Sequence, residues 1–326
     1  MGVARSGGEG KALNDLLDPL PLIRGENVAP PRVVHRIAGA ATQIAMQEAP
    51  QLEFLHSTFA HVGLPRQPVK HPGAYRRECG NYSLLITPGS LWNGDDWEQH
   101  PIPFGTKPRL IIAYACTYAR RHRTQEVPVG ASMTEFMKIL GHKAVSGGKT
   151  GNITMFKRQV LSLSAADIRI GYRTPAGAAT AKNAAIDGFM FWNNDEDKNK
   201  KPWPGALHLS KGFYDSLCEH AFPVDATALR ALDSSALAMD VYVWLAHRLC
   251  RVGDRPVLIH WPALAQQFSD GDQSLPDFKW YFKNILKRVL AVYPDARVEL
   301  PGGGLVIKQS PPPIPPKVQL ALVRQN

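Results

Sequence analysis

The stretch FKWYFKNILKRVLAVYPDARVELPGGGLVIK, Phe278 to Lys308, constrains the fold more than any other segment. Its first half has helical spacing. At about 100° per residue, Phe278, Phe282, Ile285, Leu286, Val289 and Val292 fall on one side. Lys279, Trp280, Lys283, Asn284, Lys287 and Arg288 fall on the other. Its second half reads as two short strands joined through Gly302, Gly303 and Gly304. One side of the helix can pack while the other carries cations, an aromatic ring and an amide.

The preceding segments place this stretch at the end of an ordered series. DATALRAL and SSALAMDVYVWLAHRLCRV are helices, the second capped by Ser234 or Ser235. PVLIHW is a strand, and PALAQQFS is a short helix with proline allowed at its start. An earlier body repeats the order. KPRLIIAYACTYARRHR is a helix closed by Arg120, Arg121 and Arg123, and EVPV is a strand. SMTEFMKILG opens on a capping box, Ser132 with Glu135, and stops at Gly141. NITMFKRQVLSLSA is a helix with Asn152 as its cap. DIRIGYR and IDGFMFWN are strands, with TPAGAATAKNAA as a loop between them. Each body therefore runs helix, strand, helix, loop, helix, strand, strand.

That order predicts an α+β fold of two tandem winged-helix domains, each a helix-turn-helix plus β-hairpin, with flexible N- and C-terminal arms. The boundaries expected are an N-terminal arm over 1–51, partly disordered, and a first domain over 52–193. A charged linker over 194–204, a second domain over 205–309 and a proline-rich tail over 310–326 follow. Within the arm, VVHRIAGAATQIAMQEA is a candidate helix.

Charge and motifs narrow the function. Lys and Arg number 38 against 28 Asp and Glu, giving +10 and a pI near 9.5. Such an excess favours a polyanionic partner. No segment reaches the roughly 20 apolar residues of a membrane span, and the first residues lack the apolar run of a secretory signal. A cytoplasmic protein is expected. Cys79, Cys116, Cys218 and Cys250 form no C-x-x-C pair, and Cys116 and Cys250 sit in apolar helical patterns as buried thiols. SGGKTG does not make a nucleotide-binding loop, because that loop requires glycine at 143, where Lys143 stands. Single histidines in LIHW and ALHLS do not make the paired site of a nicking enzyme. NDEDKN lacks the glycine and glutamate of a calcium loop. The expectation is no catalytic residue, no metal, no cofactor and no enzyme activity.

Nucleic acid is the partner this pattern suits. Lysine and arginine fit guanine edges and phosphates, and asparagine fits adenine. The plain alternative is a solvated helical face. The hairpin and the short helix before it favour the reader: one helix enters the groove while neighbours hold the backbone. Candidate DNA contacts are Lys279, Trp280, Lys283, Asn284, Lys287 and Arg288 on the helix, with Arg297 and Lys308 in the wing. In the first body they are Lys149, Thr150, Asn152, Thr154 and Arg158. There Thr154, Met155, Arg158, Gln159 and Ser162 are expected to face outward. Two readings of that helix stand open, a DNA contact and a protein interface.

GNYSLLITPG, PFGTKPRLIIAY, SMTEFMKILG, SGGKTGNITMFKRQVLSLSA, ALRALDSSALAMDVYVWLAHRL and DFKWYFKNILKRVLAVYPDARVEL occur in an order that resembles the plasmid-encoded RepA family of replication initiators. The resemblance spans roughly residues 52 to 313. It implies a protein that binds repeated sites, or iterons, in double-stranded plasmid origin DNA, helps open the duplex and controls copy number. It also implies recruitment of a host replication initiator, a helicase and chaperones, and a homodimeric form. The alternative is a repressor that regulates its own operon without initiating replication.

Overall fold

The computed structural model describes residues 31–46, 50–69, 73–142, 151–174, 177–182, 186–192, 203–269 and 273–315. Helix α1 (Pro31–Met46) turns Val33, Ile37, Ala40 and Ile44 to one side, and Ile37 and Ala40 are buried. Strand β1 (Leu52–His56) and the short helix α2 (Thr58–His61) follow. β2 (Tyr75–Cys79) and β3 (Tyr82–Thr87) make a hairpin whose turn holds Gly80 at φ +57°, a conformation glycine adopts without strain. β4 (Gly89–Trp92) and β5 (Trp97–His100) form a separate two-stranded sheet.

Helix α3 (Thr106–His122) buries its apolar side and carries Arg120, Arg121 and His122 in its last turn, where cations suit the helix dipole. Arg123, at φ +52°, ends it. β6 (Glu126–Pro128) leads to α4 (Met133–Ile139). Ser132 Oγ accepts the N–H of Glu135 at 3.2 Å, while Glu135 Oε2 reaches past the cap to the N–H of Ala131 at 2.7 Å. In α5 (Asn152–Ala165) the cap position belongs to Gly151, and Asn152, expected as the cap, is the first helical residue. β7 (Asp167–Thr174), β8 (Gly177–Lys182), β9 (Ile186–Trp192) and β10 (Trp203–Leu209) follow. β8 occupies a segment expected as loop. Its small residues pair with β7 from Arg169↔Lys182 to Thr174↔Gly177.

Then come α6 (Lys211–His220), β11 (Ala221–Asp225), α7 (Ala226–Ala231) and α8 (Ala236–Arg248). Asp225 caps α7, and Ser235 rather than Ser234 caps α8. β12 (Val257–His260), α9 (Trp261–Phe268), α10 (Leu275–Val292), β13 (Val298–Glu299) and β14 (Gly304–Ile307) are the last elements among the described residues.

Two three-stranded sheets share one plan. Their strand orders are β6-β10-β9 and β12-β14-β13. In each, a lone strand after a long helix pairs with the last strand of a later hairpin. Beside these and the β4-β5 pair, the sheets among the described residues are β1-β11 and β2-β3-β7-β8.

The residues expected as a linker, 194–204, fall in the sequence between β9 and β10, antiparallel neighbours in which Trp203 stands opposite Trp192. One continuous core runs from α1 to β14 across that point. β1 pairs with β11 from Leu52↔Asp225 to His56↔Ala221, so strands far apart in sequence close together. The arm helix α1 packs on α7 and α10. The tail is not free of the core either: Ile314 is fully buried against Leu52 and Phe54, and the Tyr293 hydroxyl donates to the Pro311 carbonyl at 2.6 Å. Apolar Ile314 is drawn in because β1 leaves those two side chains uncovered. Cys116 is buried, its thiol pushed up to about 12 by desolvation, whereas Cys250 is only half-buried.

A buried ion cluster fastens the α3 side to the α8 side. Arg109 on α3 donates Nε to Asp240 Oδ1 at 2.7 Å and Nη2 to Oδ2 at 2.9 Å. Arg66 donates Nε to Oδ2 at 3.1 Å and Nη1 to the Phe268 carbonyl at the end of α9 at 2.7 Å. Burial alone would raise the Asp240 carboxyl, but Arg109 and then Arg66 hold it below the usual carboxylate range. Gly63 makes room: a Cβ there would sit 2.9 Å from Asp240 Oδ2.

Candidate nucleic-acid interface

Helix α10 starts one turn before the expected Phe278. Ser274 Oγ accepts the Asp277 N–H at 3.3 Å and donates to its carboxylate at 2.5 Å. Asp277 thus puts negative charge at the positive end of the helix. Phe278, Phe282, Ile285, Leu286, Val289 and Val292 are all buried, the same six the spacing picks out. The helix packs them against α8, α1 and α9.

The opposite side is open. Lys283 and Lys287 are exposed, Trp280 is 49% exposed, and Lys279, Asn284 and Arg288 are half-buried. Burial lowers the Arg288 guanidinium from its ordinary value, and Tyr281 acts against that. Trp261, the first residue of α9, organises the region. Its backbone N–H donates to the Gly303 carbonyl at 3.3 Å and its indole Nε1 to the Gly302 carbonyl at 3.0 Å. The ammonium groups of Lys279 and Lys283 lie 5.9 and 5.8 Å from the Trp261 ring centre. One aromatic side chain therefore joins the start of α9, the hairpin turn and the lysine line of α10.

The three turn glycines differ. A Cβ on Gly304 would lie 2.1 Å from the Ile259 carbonyl oxygen, so this glycine lets β14 approach β12. Gly302 and Gly303 face open space. Arg297 is exposed. Lys308 forms an ion pair with Glu299 on the neighbouring strand, which offsets the charge expected to meet phosphate.

The first body presents less. Thr154 and Arg158 are exposed on α5 and Asn152 is half-buried; Lys149 and Thr150 lie outside the described residues, as does most of the SGGKTG loop. Gln159 and Ser162, expected to face outward, are buried. Gln159 Oε1 accepts the Phe104 N–H at 2.8 Å. The cause is the β4–β5 hairpin, which packs on α5: Gly89 sits so close that a Cβ would lie 1.8 Å from the Ala165 carbonyl oxygen. The spacing of α5 alone does not reveal this cover, because it comes from residues earlier in the chain.

Among the described residues, no helix is long and apolar enough to cross a membrane. Residues 102–261 match the family described as plasmid encoded RepA protein. No curated protein and no solved structure matches the chain.

Proposed function

From the premise that this chain belongs to the plasmid-encoded RepA family of plasmid replication proteins, we propose that it is the initiator, a DNA-binding protein without enzyme activity of its own. In this reading α8, β12, α9, α10 and the β13–β14 hairpin form one winged helix, and α3, β6, α4, α5 and the β9–β10 hairpin form another. The shared strand orders support it. α10 enters the major groove of origin repeats in the cytoplasm of the bacterial host, opens the duplex and recruits host replication proteins.

One observation carries the reading. Lys283 and Lys287 stand exposed on the side of α10 opposite six buried apolar residues, with Trp280 and Asn284 beside them. A purely structural helix needs the buried side only. Lysines at the groove release counterions from DNA, and asparagine offers adenine two hydrogen bonds.

The test is a footprint of the full chain on the cognate origin repeats, repeated with Lys283→Ala/Lys287→Ala. Protection of the repeats is expected, with the double variant binding more weakly and with a salt slope smaller by about 1.8, near 0.9 per lost phosphate contact. Unchanged affinity and slope would remove α10 as the reader. A plasmid carrying only the origin, with the protein supplied in trans, then separates initiation from autoregulation: failure to replicate in a permissive host favours the repressor.

A further inference from the structure

Residues 78–106 contain no lysine or arginine, in a chain that has 38 of them. They do contain Glu78, Asp95, Asp96 and Glu98. Among the described residues the β4–β5 hairpin in this stretch joins no larger sheet, and residues 92–99 are all exposed. Asn93 Oδ1 accepts the N–H groups of Asp95 and Asp96, each at 2.9 Å, and Asp96 Oδ1 accepts the Trp97 N–H at 2.7 Å. These bonds fix a turn that holds its carboxylates outward. Trp92 and Trp97 lie opposite each other with ring centres 5.7 Å apart, yet stay 47% and 64% exposed. The two rings are tilted by 60° to each other, and much of each faces water. Exposed tryptophan of this kind is what anchors protein interfaces. The acidic turn repels phosphate, so nucleic acid does not fit as the cover.

The same chain carries a surface with the opposite character. A cleft of about 400 Å³ opens between β1, α3 and α7. That volume exceeds the ~300 Å³ at which ligand-sized pockets begin. Tyr118 and His122 put their ring centres 4.2 Å apart along its wall. Arg121 is exposed there and gives one N–H to the Leu52 carbonyl at 2.5 Å. Arg230 pairs with Glu53 at 2.9 Å, and Ile139 adds an apolar side chain left 38% exposed. An aromatic wall, an apolar flank and an arginine at the rim match an acidic, tryptophan-tipped hairpin in chemistry and in charge.

We propose that the Trp92–Trp97 hairpin of one copy docks into the Tyr118–Arg121 cleft of a second copy. Trp97 stacks on the Tyr118–His122 wall, and Asp95 and Asp96 meet Arg121, since Glu53 already holds Arg230. The two surfaces are different, so the contact is head-to-tail and grows into a ring or a string rather than a two-fold pair. Neither surface includes α10, so association leaves the proposed reader uncovered.

Sedimentation of the full chain over a rising concentration series tests this. The wild type is expected to grow beyond a single copy as concentration rises, and to dissociate as salt is added. Trp92→Ala/Trp97→Ala and Asp95→Arg/Asp96→Arg, both confined to exposed residues, are expected to lose that growth while melting and binding DNA like the wild type. Arg121→Glu is expected to lose it too. Mixing folded Arg121→Glu with Asp95→Arg/Asp96→Arg is expected to restore association, because one copy then offers an intact hairpin and the other an intact cleft. A wild type that stays single at every concentration overturns the proposal. So do hairpin variants that associate as the wild type does, or a mixture that fails to associate.

Discussion

The α3–β10 unit and the α8–β14 unit share one order of strands in their three-stranded sheets, but the first inserts β7 and β8, which join β3, before its hairpin, and their long third helices are finished differently. In the second unit the outer side of α10 stays bare and carries lysines. In the first, the β4–β5 hairpin lies on α5 and buries Gln159 and Ser162. The frame alone therefore does not leave the outer side of its third helix free for the proposed DNA contact. What decides is whether a later or earlier segment of the chain covers the helix.

The largest effect is expected at the joint between the units. Asp240→Ala leaves Arg66 and Arg109 buried without their carboxylate, and should cost about 3–5 kcal/mol in a denaturant titration. Both units should lose stability in one transition, since one core spans them. Two separate transitions, with the α10 unit unaffected, would show the units to be independent.

Acid should destabilise the folded chain through two histidines, His247 and His56. Burial, with Arg251, His61 and Arg248 adding to it, pulls His247 down to about 3; burial and His220 pull His56 down to about 4. Both folded values lie below the ordinary 6.5, so the unfolded chain binds protons that the folded one refuses. Their contribution is complete above pH 6.5 and is lost as pH falls toward 4 and then 3. Melting temperature should drop between pH 7 and pH 5, and His247→Gln should flatten that slope.

Close backbone approach gives a third contrast. Gly304→Ala pushes β14 off β12, and Gly89→Ala pushes the β4–β5 hairpin off α5. Each should cost about 1–3 kcal/mol, but only Gly304→Ala should weaken DNA binding. Gly302→Ala should change stability by less than about 0.5 kcal/mol. The smallest effects concern single charges. Arg158→Ala on α5 should lower the salt slope of DNA binding by no more than about 0.9. Lys308→Ala should scarcely move it, because Glu299 already holds that ammonium group.

Helix α10 was legible in the sequence because its six buried residues repeat at one spacing, whichever helices they pack against. The capping box at Ser132 was legible for the same reason: its partners are three or four residues apart. β1 and β11 were not, since neither LEFLH nor AFPVD alternates cleanly and each is completed by the other. The run at 194–204 reads as an exposed joint by charge alone, yet the strands it connects pair with each other. Among the site residues, Lys308 and Gln159 illustrate one limit. A side chain's type and helical angle do not say that Glu299, or the backbone of Phe104, is already waiting for it.

The β1–β11 ladder also sets a timetable. A ribosome adds about 5–20 residues per second, so β1 waits on the order of ten seconds before β11 has been made. Until then Leu52, Phe54 and Leu55 have no strand to close over them, and Ile314, which seals the first two, arrives later still. Synthesis rate and holdase capacity in the host thus become determinants of how much of this chain reaches its closed form.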